Sequence, residues 1–199
     1  WGEVSCLVPH PKNAGEGQVL WARHLAKEEQ VRVPTWGFNG SPLVLGDRLL
    51  LNAGAAGVAL DLKTGKTLWK SDDGEAGYAT PQPVILGGQP HVIVSSGRAY
   101  SAVKAADGQE AWSLRWFTRY GVNAADAIVD GDQVFVGSGY RKGCGLYKIG
   151  AELTEVWRNK NLSTQMNAAV KIGDHLYGFD GDSGGPGKLR CVSWKTGEV

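Results

Sequence analysis

Residues 59–69 read Ala59-x-Asp61-x-x-Thr64-Gly65-Lys66-x-x-Trp69: a short apolar strand, a turn, and a second strand ending on an indole. Asp61 and Thr64 are side chains that bond the backbone of their own turn, and Gly65 supplies the positive φ that such a turn needs. Trp69 offers a large apolar face with one N–H to anchor it. Working outward, the same ending recurs at Val19-Leu20-Trp21, Glu110-Ala111-Trp112 and Glu155-Val156-Trp157. The four tryptophans are separated by 48, 43 and 45 positions. An independent marker keeps step with them. Turn signals at Gly46-Asp47, Gly87-Gly88, Gly131-Asp132 and Gly173-Asp174 are spaced 41, 44 and 42. Two markers at a period of about 40–50 residues indicate either a propeller blade or a helical repeat.

Periodicity decides between them. Within one unit, residues 41–45, 48–52, 57–61 and 66–69 are apolar runs of four to five residues with Gly or Asp between them. Residues 126–129, 133–137, 145–149 and 154–157 repeat the arrangement. Runs this short, rich in Val, Ile, Leu and aromatics, are strands, and no window sustains helical spacing. Four short antiparallel strands per unit make a β-propeller blade. The chain is therefore expected to be all-β: a partial blade over 1–25, then blades at about 26–69, 70–112, 113–157 and 158–199, the last incomplete. Those four to five blades form one domain and a partial ring.

The 59–69 motif resembles at every key position the tryptophan-docking motif of the pyrroloquinoline-quinone (PQQ)-like propeller family, including its BamB-like assembly-lipoprotein branch. Elsewhere the motif decays. The second unit keeps Ala102, Gly108 and Trp112 but has Lys104 for the Asp; the third keeps Trp157; the fourth keeps Thr196 and Gly197, with Cys191 at the Ala position. The resemblance covers residues 17–199 and implies seven or eight blades in a closed ring. It follows that the sheet edges are expected to pair with missing blades or with a second copy. Export to the periplasm or beyond is likewise an implication of the resemblance.

Composition excludes several functions. The 199 residues carry a net charge of +1, which offers no nucleic-acid footprint. No apolar run reaches the roughly 20 residues of a transmembrane segment. Three cysteines, Cys6, Cys144 and Cys191, form no CxxC pair. Cys144 and Cys191 lie in or beside apolar strand patterns, as buried free thiols do; a bridge between them requires Cα atoms within about 7 Å.

In this fold the loops from an outer strand to the next inner strand gather on one face around the central channel. Here they are residues 22–40, 70–82, 113–124 and 158–167. Asn39, Asn123 and Asn167 stand just before an inner strand, with Thr80 in the remaining position. Trp36, Phe38, Tyr78, Trp116, Arg119 and Tyr120 gather nearby. One reading has the Asn and Thr side chains bonding loop backbone. The other has a polar and aromatic ring that receives a ligand, a peptide or a protein partner. The resemblance implies two function classes: a non-catalytic scaffold that presents this mouth to a partner, which is preferred, or part of a quinoprotein dehydrogenase holding PQQ and calcium there. Against the enzyme, the adjacent-cysteine pair of that family is absent and the return loops hold no convincing Asp/Glu cluster.

Gly181-Asp182-Ser183-Gly184-Gly185-Pro186 looks like the nucleophile segment of trypsin-like proteases. A nucleophilic serine needs a histidine base. His10, His24, His91 and His175 all lack the Ala-Ala-His-Cys setting of that class, and the blade register wants a loop here. A fluorophosphonate probe is therefore expected to leave Ser183 unlabelled. Stoichiometric labelling abolished by Ser183→Ala would reverse the assignment.

Overall fold

A computed structural model describes residues 2–9, 17–182 and 185–199. Ser183 and His10 lie outside the described residues. Seventeen strands and one four-residue helix make up the regular structure among the described residues. An N-terminal hairpin pairs β1 (Glu3–Pro9) with β2 (Gly17–His24), and α1 (Leu25–Glu28) follows it. Three four-stranded antiparallel sheets come next. The first contains β3 (Leu43–Leu45), β4 (Arg48–Leu51), β5 (Val58–Asp61) and β6 (Thr67–Lys70). The second contains β7 (Gln82–Leu86), β8 (Gln89–Ser95), β9 (Ala99–Lys104) and β10 (Glu110–Arg115). The third contains β11 (Ile128–Asp130), β12 (Gln133–Ser138), β13 (Gly143–Lys148) and β14 (Thr154–Asn159). The fourth has three strands: β15 (Val170–Ile172), β16 (His175–Asp180) and β17 (Lys188–Ser193). Every strand pairs with its neighbours in chain order, as meandering blades do.

Burial follows position within the sheet. The two middle strands β8 and β9 are apolar on both faces because a sheet lies on each side, so Val92, Ile93, Val94, Ala102 and Val103 are all buried. Outer strands bury little besides the tryptophan: Trp69 and Trp112 are buried and Trp157 is half-buried, while Leu68 and Val156 are exposed. The buried residues fall into four clusters, each at one seam between successive sheets. Leu25, Leu49 and Leu60 join the hairpin to the first sheet; Leu50, Trp69 and Val92 join the first to the second. Trp112, Val134 and Tyr147 join the second to the third; Phe135, Leu146 and Leu176 join the third to the fourth.

Each seam is closed at its outer rim by one of the repeating tryptophans. A β-bulge lies just before the tryptophan in all four outer strands: Ala59 pairs with Trp69 while Leu60 pairs with Thr67, and the same shift occurs at Trp21, Trp112 and Trp157. The extra residue turns the indole out of its own sheet onto the next one. Trp69 lies flat over Gly108, where φ is +77° and a Cβ would stand 2.6 Å from the ring. Its Nε1 donates to Ala105 O at 3.0 Å. Trp21 covers Gly65 and donates to Leu62 O at 3.0 Å; Trp157 covers Gly197 and donates to Trp194 O at 2.8 Å. Asp61 Oδ1 accepts from the Thr64 amide and hydroxyl, which holds the receiving turn of the first sheet in shape.

The third sheet breaks the pattern. Its turn, Ile149–Leu153, contains no left-handed glycine, and the indole it receives, Trp112, is buried with Nε1 unpartnered. The decayed motif thus has a physical cost at one rim.

One further feature was left open by the sequence and another departs from expectation. The partner strand of the Trp21 strand is β1, which the irregular pattern of residues 1–16 neither predicts nor excludes. Cys191 is exposed rather than buried, because it faces away from the third sheet alongside Leu189; all three cysteines are free. Cys144 is buried as expected, and burial pushes its thiol up to about 11.

Trp69→Ala is expected to cost about 3–5 kcal/mol in denaturant unfolding, the range for a large buried aromatic. Trp69→Phe, which also abandons a satisfied hydrogen bond, should cost more than Trp112→Phe, which removes an orphaned donor. The reverse order would mean that the Nε1 bonds do not hold the rims.

Candidate functional site

The strand directions bring two sets of loops to one face: those that lead from an outer strand to the next sheet, and those that join the second and third strands within a sheet. A buried polar chain ties them together across three sheets. Asn52 Nδ2 donates to Ser95 Oγ at 2.9 Å and to Ala79 O at 3.0 Å. Ser95 Oγ donates to Asn123 O at 3.0 Å. Asn123 Nδ2 donates to Trp116 O at 2.7 Å and to Ser96 O at 2.8 Å, while its Oδ1 accepts from Ser138 Oγ at 3.1 Å. Trp116 Nε1 closes the chain on Ser138 Oγ at 3.0 Å. In a low-dielectric interior such a network, satisfied except at Asn52 Oδ1, makes the loop positions unique.

Above this chain lies a cup of about 320 Å³ lined by Trp36, Asn39, Tyr78, Val122, Ala124, Tyr140 and Met166. Its residues come from each of the four return loops and from the loop joining β12 to β13. Trp36 meets Tyr78 edge-on, with centroids 5.8 Å apart, and Tyr140 meets Tyr120 edge-on at 5.1 Å. Trp36 is 50% exposed, Tyr120 54% and Met166 58%. Rigid aromatic faces beside an adaptable thioether make a wall suited to apolar groups of a partner. Burial raises the Tyr78 hydroxyl above its ordinary range, so it stays a neutral phenol.

A second hollow of about 670 Å³ lies on the same face, lined by Arg32, Glu75, Arg98, Phe117, Arg119 and Tyr120 among others. Arg119 stacks on the Tyr120 ring at 5.2 Å.

The mouth residues expected from the sequence therefore separate. Trp36, Asn39 and Tyr78 line the cup; Arg119 and Tyr120 line the neighbouring hollow. Trp116 and Asn123 do not face the mouth. Both are fully buried at 0% exposure, because each is a member of the polar chain beneath it. Thr80 Oγ1 accepts from the Ser41 amide at 3.3 Å, and Asn39 Nδ2 donates to Trp36 O at 3.0 Å, so three of the four aligned polar residues bond backbone. Asn167 is exposed, next to Met166. Phe38 packs instead with the cluster around Leu25 and Leu49.

Sequence reasoning missed Tyr140 and Met166. Tyr140 and Arg141 are consecutive non-glycine residues with φ of +56° and +58°, a backbone that costs about 1–3 kcal/mol per residue unless its surroundings impose it. Asp182 imposes it, since its Oδ1 accepts from the amides of Tyr140 and Arg141. The protease-like segment thus contributes a clamp on the mouth. The available signal was a tyrosine between Gly139 and Gly143, in a loop that emerges on the binding face.

A calcium–quinone pair needs several hard oxygen ligands on one point, beside flat surfaces. Among the described residues no three His, Cys, Asp or Glu side chains converge. Three carboxylates on this face are committed: Glu75 faces Arg32 at 3.5 Å, Asp126 Oδ1 takes the Thr80 amide at 2.7 Å, and Asp182 holds its loop. The residues described here do not fit that group, and no catalytic step follows from them.

Comparison with known proteins agrees with this architecture. The family described as Outer membrane protein assembly factor BamB matches residues 12–199. No curated protein matches the chain. Among solved structures, BamB from Moraxella catarrhalis is similar with a TM-score of 0.72 and 16% identity, over 99% of this chain and 56% of that one. A europium-containing methanol dehydrogenase is similar with a TM-score of 0.57 and 13% identity, over 98% of this chain and 46% of that one. Quinohemoprotein alcohol dehydrogenase from Comamonas testosteroni has a TM-score of 0.57 and 12% identity, over 91% and 38%. The chain spans about half the length of the first of these structures, and identities this low show the fold alone.

Asn123→Ala leaves the Trp116 and Ser96 carbonyls without its amide donor and the Ser138 hydroxyl proton without its acceptor, and is expected to cost about 3 kcal/mol. Asn39→Ala, on an exposed loop, is expected to stay within about 0.5 kcal/mol. Chemical denaturation compares them; equal costs would remove the polar chain as the support of the mouth.

Proposed function

We propose, from the premise that this chain belongs to the family of the outer membrane protein assembly factor BamB, that it is a non-catalytic propeller scaffold whose mouth binds a protein partner in the cell envelope. The observation that carries this reading is the lining of the cup. Every return loop contributes to it, its walls are Trp36, Tyr78, Tyr140 and Met166, and no carboxylate lines it. Partly exposed aromatics and methionine anchored on a rigid base are the usual composition of a protein-binding hot spot. No helix among the described residues is long and apolar enough to cross a membrane. A periplasmic location fits the family's role as an outer-membrane assembly factor and belongs to the same proposal.

The second reading, a fragment of a PQQ- and calcium-dependent dehydrogenase, draws on the likeness to the two dehydrogenases. Their shared feature with this chain is the fold, which hosts unrelated functions.

In-cell photocrosslinking separates the two. A benzophenone amino acid at Trp36 or Met166 is expected to give one discrete protein adduct, while the same group at Ile85 or Leu68, on the exposed surfaces of the blades, gives none. Absence of a mouth-specific adduct, together with alcohol-dependent dye reduction after addition of PQQ and calcium, would establish the dehydrogenase instead.

A further inference from the structure

Beside the cup, two cations lie over one indole, and a third adjoins it in the chain. Lys142 Nζ lies 4.7 Å and Arg158 Cζ 5.0 Å from the centroid of the Trp116 ring. Arg115 precedes Trp116 in the chain and repels Lys142. Among the described residues none of the three forms an ion pair with a carboxylate. Glu155, on the same strand as Arg158, lies beside the Tyr147 hydroxyl. The indole quadrupole offers Lys142 and Arg158 some compensation, but the like charges still repel one another. Lys142 is half-buried, and its ammonium is destabilised first by that burial and then by Arg158 and Arg115.

The position of Lys142 is imposed. It follows directly on Tyr140 and Arg141, the left-handed pair that Asp182 clamps. One strained loop thus delivers an aromatic to the cup and a cation to Trp116.

We infer that Arg115, Lys142 and Arg158 form a receptor for the carboxylates of an acidic segment of the protein partner. This inference deepens the scaffold reading and rests on it. Two guanidinium forks can each take a carboxylate in bidentate fashion, and the Lys142 ammonium serves as a point charge. A short acidic segment matches the geometry better than an anionic bilayer does. Lys142 and Arg158 converge on one ring rather than spread over a plane, and exposed Asp72 and Asp73, with Glu75, stand on the same face and would repel an extended negative surface. The neighbouring cup then takes apolar residues of the same segment.

The probe is a fluorescein-labelled oligoglutamate peptide, read by fluorescence anisotropy with the full chain at low and moderate salt. Binding that weakens with salt is expected, with a loss of about tenfold or more in Lys142→Glu and in Arg158→Glu. Lys63→Glu, in a turn on the opposite face, should leave binding unchanged. Lys142→Met and Arg158→Met keep the stems on the ring and should also lose binding while circular dichroism shows an intact fold. No binding by the native chain, an equal loss in Lys63→Glu, or phosphatidylglycerol vesicles that bind and are not displaced by the peptide would each overturn the inference. A mouth-specific crosslink obtained alongside any of these outcomes would leave the scaffold reading standing and remove the acidic receptor alone.

Discussion

A four-stranded antiparallel sheet has two apolar faces and no helix to cover either, so each sheet of this chain is stable only against its neighbours. The contact that fixes how neighbours meet is the flat seating of a tryptophan on a left-handed glycine of the next sheet. Three local choices must coincide for it. A bulge turns Trp69 outward, the missing side chain at Gly108 lets the ring approach, and the Ala105 carbonyl receives the indole N–H. Removing any one leaves apolar area exposed or a donor unpaired. The rest of the seam, with Leu50 against Val92 and Val103, can close only after the rim has set the spacing.

Much of this was legible because the motif is local. Asp61, Thr64, Gly65 and Trp69 lie within nine residues, and each residue type has one physical reason to be there. The blade period followed from counting tryptophans and turns. The site was legible in part. Trp36 and Tyr78 were found because they stand in the loops that the fold brings to one face. Trp116 and Asn123 stand in the same loops but turn inward, and a sequence does not reveal which side of a loop a residue takes. Tyr140 escaped because a left-handed backbone at a non-glycine residue has no compositional sign. Its cause, Asp182, lies about forty positions away in a segment whose chemistry suggested something else.

The binding face is organised in depth. The buried layer of Asn52, Ser95, Asn123, Ser138 and Trp116 is polar and saturated except at Asn52 Oδ1; the layer above is aromatic and open to solvent. This division suits recognition, since a partner meets pre-positioned rings and need not order them on binding. Trp116 belongs to both arrangements, with its N–H in the buried chain and its ring under two cations.

The missing glycine in the Ile149–Leu153 turn has a mechanical consequence. A hydrogen bond fixes both a distance and a direction, whereas dispersion between smooth apolar faces resists separation far more than sliding. Between the second and third sheets the polar chain still fastens the inner end, through Asn123 and Ser138, but the orphaned Trp112 leaves the outer end fastened by packing alone. That joint is expected to be more compliant than the others. A rotation about Asn123 would change the width of the cup, which Tyr140 and Val122 both line.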